Sequence, residues 1–461
     1  MMNDFRIEKD SMGEVRVPAD ALYGAQTQRA IDNFPVSGEP MPPAFIHALG
    51  RVKSACASAN AELGALPEPL AQAIVEAAAS ISAGELDDQF PVDVFQTGSG
   101  TSSNMNANEV IAALASRSLG QAVHPNDHVN KGQSSNDVVP TAIQVAAVLQ
   151  CREALLPALT HLGEVIDQRA QALKDVIKTG RTHLMDAMPI SLGQELSAWK
   201  AQIDAATQAL EAAVVRLQAL PIGGTAVGTG INALPGFDAA VCRHLERLTG
   251  IAFRPLENKF VGLASQDASL QLSGQLKGAA VSLMKIANDL RWMNSGPLAG
   301  LAEVTLVARQ PGSSIMPGKV NPVIPEAVCM VAAQVIGNDT AITVAAQSGN
   351  FQLNVMFPLV ARNLLQGIAL MANAARLLAD KAVADFSVNH AQLESALSKN
   401  PILVTALNNE IGYELGARIA KRAYAENRPV IDVAEEMTDL DRETLTRLLD
   451  PRKLAYPHDH G

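Results

Sequence analysis

Residues 140–174 read PTAIQVAAVLQCREALLPALTHLGEVIDQRAQALK, and no charge occurs in this run before Arg152. Ala, Leu, Val and Ile recur on nearly every face, so the segment is predicted to be a long helix with apolar neighbours all round, as in the middle of a bundle. Further Ala-rich runs cover about 189–219, 238–249, 264–295, 321–346 and 355–381. Breakers are expected only at their ends, with Pro189, Pro221, Pro235, Gly296-Pro297 and Pro322 as start or stop signals. Five helices of about 25 residues would each run roughly 40 Å.

Composition agrees with this reading. The 461 residues are 48% hydrophobic but only 4% aromatic, so the core must be built from small and branched aliphatic side chains, which suits closely packed helices. Two uncharged stretches, 217–237 and 340–361, carry glycines, prolines and amides and read as soluble segments rather than membrane spans. Length suggests about three units. The expected division is 1–137, mixed but mostly helical; 138–388, a central five-helix bundle; and 389–461, a small helical C-terminal domain. In the first unit Pro43–Leu63, Pro69–Ser82 and Asn106–Leu119 read as helices and Tyr23–Gln28 as a loop. In the last, helices are predicted at about 390–397, 402–425, 430–437 and 441–447.

With 47 acidic against 36 basic residues the formal charge is −11, and there is no Lys/Arg run, which argues against nucleic acid or an anionic membrane as partner. Any anionic ligand must then be captured by local chemistry. Cys56, Cys151, Cys242 and Cys329 lie far apart, without CxxC spacing, and are expected to be reduced, buried thiols rather than a disulfide framework, zinc site or iron–sulfur cluster. The N-terminal MMNDFRIEKDSMGEVRVP has acids and no apolar core, so a cytoplasmic address is expected.

Chemistry concentrates in polar loops set against long apolar helices. Thr97-Gly-Ser-Gly-Thr-Ser-Ser-Asn104, running on to Glu109, offers hydroxyls and amides beside glycines that let a ligand approach the backbone, without matching a nucleotide fingerprint. His124-Pro-Asn-Asp-His128 leads through Asn130, Lys131 and Gln133 to Ser134-Ser-Asn-Asp137. Its two histidines invite a metal reading, against which Pro125 argues; the serines suit either a helix cap or donors for a carboxylate. Gly180-Arg-Thr-His183 reads as a histidine following a helix. Gly312-Ser-Ser-Ile-Met-Pro-Gly-Lys-Val-Asn321, reaching Glu326, combines hydroxyls, backbone N–H groups and one cation in a loop able to close over a ligand. It is neither a GxSxG elbow nor an SxxK pair.

The last segment resembles the signature loop of the fumarase/aspartase superfamily. Phe90–Thr101, His124–Lys131, Gln133–Asn136, Gly180–His183, Gly223–Gly230 and Leu283–Arg291 are likewise similar, in order, to class II fumarase segments, so the likeness runs from about Ile7 to beyond Tyr413. The resemblance implies three domains, a homotetramer with a twenty-helix core, and active sites shared by three subunits. It also implies reversible addition of water to fumarate, a tricarboxylic acid cycle step, without metal or organic cofactor. Ser313 is implied as the base, Ser314, Lys319, Val320 and Asn321 as ligands of one carboxylate, and Ser99, Gly100, Thr101, Ser134, Ser135, Asn136 and Thr182 as donors to the rest of the substrate. His183 paired with Glu326 would handle the water, and His124, Pro125, Asn126 and Asp127 match a second, peripheral anion site. Asn321-Pro-Val-Ile-Pro-Glu326 and Gln352 look more like aspartases and Leu298 stands where many fumarases have Arg, whereas Ser135 and the combination of His124-Pro-Asn-Asp127 with Thr182-His183 favour fumarase. An ammonia-lyase acting on aspartate, and a catalytically silent structural relative, are the alternatives.

Overall fold

The computed structural model describes residues 5–457 and is mainly α-helical; the outermost residues of the first and last predicted domains lie outside that range. A hairpin of β1 (Phe5–Asp10) and β2 (Gly13–Pro18) precedes α1 (Ala25–Asn33), α2 (Pro43–Glu62), α3 (Glu68–Ser82) and α4 (Thr101–Leu119). Proline sits in the first turn of α2 and of α3, where its missing N–H costs nothing. Gly50 lets these two helices touch, since a Cβ there would lie 2.9 Å from Ala78 O.

Next come α5 (Ser135–Gln150), a π-helical turn (Cys151–Leu155) and α6 (Leu156–Ala172), which together form one 38-residue helix. A second hairpin of β3 (Ile177–Thr182) and β4 (Met185–Ser191) leads into α7 (Leu192–Leu217), α8 (Phe237–Thr249), α9 (Lys259–Ala264), α10 (Asp267–Met293), α11 (Val323–Gln347) and α12 (Phe357–Leu378). The chain ends in α13 (His390–Ser398), α14 (Asn408–Ile411), α15 (Tyr413–Glu426), α16 (Val430–Met437), α17 (Arg442–Leu448) and α18 (Pro451–Ala455).

The described residues form two compact units. One gathers residues 5–157, Thr207–Ala280 and Val331–Asn373, the other Ala158–Ala206, Val281–Met330 and residues 374–457. In the first, α10 meets α11 through Ser273 Oγ donating to Asp339 Oδ1 (2.7 Å), and α11 meets α12 through Asn338 Nδ2 donating to Gln366 Oε1 (3.0 Å). In the second, Gly163 of α6 lies against Asp204 of α7, and the indole N–H of fully buried Trp199 donates to Asp289 of α10 (3.3 Å). The C-terminal helices close over their own core, in which Leu407, Ile419, Val433 and Leu445 are completely buried.

The five long helices read from the sequence are thus present, with several corrections. Pro157 lies inside the first of them, where the π turn just before it accommodates the lost backbone hydrogen bond. Residues from Ala25 onward are helical, not loop, because the Glu109 carboxylate accepts from Gly24 N (2.9 Å), Gln26 N (2.9 Å) and Thr27 N (3.1 Å) and so satisfies the first turn of α1 from a distant helix. α4 begins at Thr101 rather than Asn106, after Gly100 at φ 71°. Residues 185–191 pair as β4, so α7 starts behind Ser191, whose hydroxyl accepts from Gln194 N (3.0 Å) while Gln194 Oε1 accepts from Ser191 N (2.8 Å). The segment 402–425 is broken by Gly412 at φ 77° into a 3₁₀ stretch, α14 and α15. Of the four free thiols Cys56, Cys151 and Cys242 are buried, and burial pushes the last two up to about 12; Cys329 is only half-buried.

Candidate active site

The first unit holds a cluster of hydroxyls at two adjacent helix starts. Ser99 Oγ lies 2.7 Å from Thr101 Oγ1, which lies 2.6 Å from Ser135 Oγ, so the start of α4 and the start of α5 are linked by a hydroxyl chain. Gly100 is needed between them, because a Cβ there would approach Val139 Cγ1 to 2.8 Å in a left-handed backbone. Behind this chain, Gly98 lies so close to Val355 that a Cβ would meet its carbonyl oxygen at 1.7 Å, and Phe357 N donates to Gly98 O (3.0 Å).

Ser134 and Asp137 make a capping box at α5. Asn136 N donates to Ser134 Oγ (3.2 Å) and Ser134 N to Asp137 Oδ1 (2.9 Å). Burial raises the Asp137 pKa against the pull of the Ser134, Thr225 and Gly223 N–H groups, the last two donating to Oδ2 at 2.9 Å each. The serine run is therefore a cap and a donor cluster at once. Ser134 accepts at the cap and keeps its own proton to give, Ser135 joins the hydroxyl chain, and Asn136 Nδ2 is held by Ala226 O (2.7 Å).

The second unit holds the other two groups. Thr182 and His183 stand at the exposed tip of the β3–β4 hairpin, not behind a helix. His183 (φ 57°) and Leu184 (φ 61°) form its two-residue turn, both in the left-handed region that type I′ hairpin turns require.

The serine loop folds onto itself. Ser313 Oγ accepts from Met316 N (3.0 Å) and Ile315 N (3.3 Å), Asn321 Nδ2 donates to Gly312 O (2.7 Å), and Lys319 Nζ donates to Asn321 Oδ1 (2.5 Å). Ser314, Val320 and Lys319 are exposed. Lys319, Val320, Asn321 and Glu326 line a cleft of about 460 Å³ with Asn288 and Arg291 of α10. Arg291 is a second cation that the sequence reading left unassigned, although it lies in a quoted segment. His183 does not line this cleft, and its side chain makes no hydrogen bond or ion pair with Glu326 among the described residues.

The segment around His124 forms a π-helical turn, Pro125–Val129, with Asp127 N donating to His124 Nδ1 (3.1 Å) and His124 N to His128 Nδ1 (2.9 Å). His124, Pro125 and Asn126 border a cleft of about 600 Å³ that is also lined by Arg6 and Lys9 of β1, together with the carboxylates of Glu8, Asp10 and Glu109. These cations, remote in sequence, were missed; only a register for the N-terminal hairpin could have pointed to them.

A helical bundle with polar donor loops at its helix starts is the setting of these groups, and the Lyase family model matches residues 13–337. A second model, the fumarase C C-terminus, matches residues 403–456. A fumarate hydratase class II of Xylella fastidiosa is 61% identical over 98% of this chain and 95% of its own length, and a fumarate hydratase class II 2 of Pseudomonas aeruginosa is 61% identical over 98% and 99%. The crystal structure of a class II fumarase from Schistosoma mansoni superposes with a TM-score of 0.96 at 40% identity, covering 99% of this chain and 100% of that one. The chain belongs to the class II fumarase family.

Proposed function

We propose that this chain is a hydro-lyase that interconverts fumarate and L-malate by anti addition and elimination of water. The observation that carries the mechanism is the pair of N–H groups, Ile315 and Met316, aimed at Ser313 Oγ. A serine hydroxyl is a poor base, and donors trained on its oxygen stabilise the alkoxide that makes it one. In the malate-to-fumarate direction Ser313 takes the proton from the carbon next to one carboxylate, leaving an aci-carboxylate dianion. Lys319, Asn321, Val320 N–H and Ser314 hold that charge, while Ser99, Gly100, Thr101, Ser134, Ser135, Asn136 and Thr182 bind the remainder. The carbon–oxygen bond then breaks, the double bond forms, and His183, oriented by Glu326, gives the departing hydroxide its proton so that water leaves. None of these steps calls on a metal or organic cofactor.

The same reading makes the protein a cytoplasmic homotetramer of the tricarboxylic acid cycle, with domains 1–137, 138–388 and 389–461 and each active site shared by three subunits. Two helices, Ser135–Ala172 and Val323–Gln347, are long and apolar enough to cross a membrane. Polar ties in mid-helix, Asp339 to Ser273 and Asn338 to Gln366, instead mark α11 as a bundle helix. Only 33% of its apolar window is buried within one chain, and Met330, Val344, Val281 and Trp292 are at least half exposed. Association of copies supplies the missing partners.

The test is ultraviolet measurement of fumarate with purified protein given L-malate and, separately, L-aspartate. Fumarate from malate is expected. Fumarate from aspartate alone would replace this reading with the ammonia-lyase one, which Asn321–Glu326 and Gln352 favour, and turnover of neither would point to a silent relative.

A further inference from the structure

We propose that Glu303 is a positioning residue for the hairpin tip carrying Thr182 and His183, so that its carboxylate is needed for turnover and not only for folding. This deepens the hydration reading and rests on it. The Glu303 side chain is only 7% exposed and collects two cations. Arg181 grips it as a fork, NH1 to Oε1 at 2.7 Å and NH2 to Oε2 at 2.6 Å, and Lys178 Nζ donates to Oε2 at 2.7 Å. Lys178, itself 1% exposed, also donates to Glu195 Oε2 at 2.5 Å, so two cations face two carboxylates. Burial alone would raise the Glu303 pKa, yet Arg181 and Lys178 hold it below the usual carboxylate range.

The geometry of β3 explains why this cluster governs the tip. Side chains three apart in a regular strand point to opposite faces. Here the register slips between Thr179 and Arg181, where Gly180 faces both Ala187 and Met188 of β4. A Cβ on Gly180 would stand 2.6 Å from Met188 O, so the strands approach as only glycine permits. Lys178 and Arg181 both reach the one carboxylate across this irregular stretch, and fully buried Asn400 pins the β4 side of it through Nδ2 to Ala187 O (2.8 Å). Beyond Arg181, no side-chain hydrogen bond ties Thr182 or His183 to another described residue. The direction of the tip is therefore set from its base. Glu303→Gln would leave buried Lys178 and half-buried Arg181 against one carboxylate and release the Arg181 fork.

The experiment combines a double-mutant cycle with hydrogen exchange on the full-length chain. Glu303→Gln is expected to lower kcat per folded protein about 10- to 100-fold for malate and fumarate. In a His183→Asn background the same substitution is expected to cost less than about threefold, because of the two site residues on the tip only the Thr182 hydroxyl is left to position. Amides 181–186 should exchange faster in Glu303→Gln than in the parent. Glu303→Asp and Arg181→Lys, which keep the charges and loosen the fork, should show smaller losses with the same non-additivity, and they carry the test if Glu303→Gln does not fold. Activity of Glu303→Gln within about threefold of the parent, or losses that multiply fully in the double variant, would overturn the proposal. A parent protein inactive on both substrates defeats the hydration reading first, with the hairpin exchange still reporting whether Glu303 holds the tip.

Discussion

In the proposed mechanism Ser313 is the base, and its setting separates activity from stability. Its oxygen accepts two loop N–H groups, while its neighbours Ser314 to Val320 are exposed and bury little area. Ser313→Ala should therefore abolish nearly all turnover while leaving the melting temperature and the oligomer unchanged; a variant keeping half its activity would remove Ser313 as the base. Lys53 illustrates the opposite case, a charged group with no exposure. Its ammonium donates to Asn130 Oδ1 and Gln133 Oε1, both at 2.9 Å, and so ties α2 to the segment leading into the α5 cap. Burial pushes its pKa down to about 7, against weaker pulls upward from Cys56 and Asp137. Between about 7 and the ordinary lysine range the unfolded chain keeps a proton that the folded chain has released, so the Lys53 contribution to stability rises with pH, and below about 7 the cost of a buried ammonium is present in full. Relative to Lys53→Met, which cannot titrate, the parent should gain up to ~1.4 kcal/mol per pH unit from about pH 7 to about pH 9. Thermal midpoints of the two proteins that differ by the same amount at every pH would refute this.

Among the elements, the serine loop depends on one missing side chain. A Cβ on Gly312 would lie 1.7 Å from Lys319 O, at the place where Asn321 draws the loop shut. Gly312→Ala should open the loop and lower kcat/KM by at least about 100-fold with only a small change in melting temperature, since little buried surface is lost. A variant with ordinary kinetics would show that closure is not needed. The elements also show where sequence was readable. The Ser134–Asp137 cap and the proline starts of α2 and α3 are local patterns, and a chain of four residues contains all the physics they need. The start of α1 depends on Glu109, more than eighty positions away, and the turn at His183 depends on a strand pairing that proline in β4 disguised as a helix start. Donor types at Ser99, Thr101, Ser135, Lys319 and Asn321 could be read directly; the hydroxyl chain, the Arg291 wall and the Arg6–Lys9 cleft could not, because each is made by tertiary contact.

For the whole molecule, the low aromatic content and the half-bare apolar face of α11 both support the proposed packing of long helices against other copies of the chain. Within one chain the cleft of Lys319, Asn321 and Glu326 lacks His183, and the imidazole at the hairpin tip makes no hydrogen bond to another described residue. If one chain lends the serine loop and another the imidazole, then an inactivating lesion travels with the subunit and not with the site. Two dead proteins, Ser313→Ala and His183→Asn, unfolded together and reassembled in equal amounts, should then recover activity, because random mixing places a sound serine opposite a sound histidine in about a quarter of sites. A mixture as inert as its parents would mean that both groups come from one chain. In a cell carrying two such alleles the same rule would appear as inheritance, with two null copies of the gene restoring a measurable share of function.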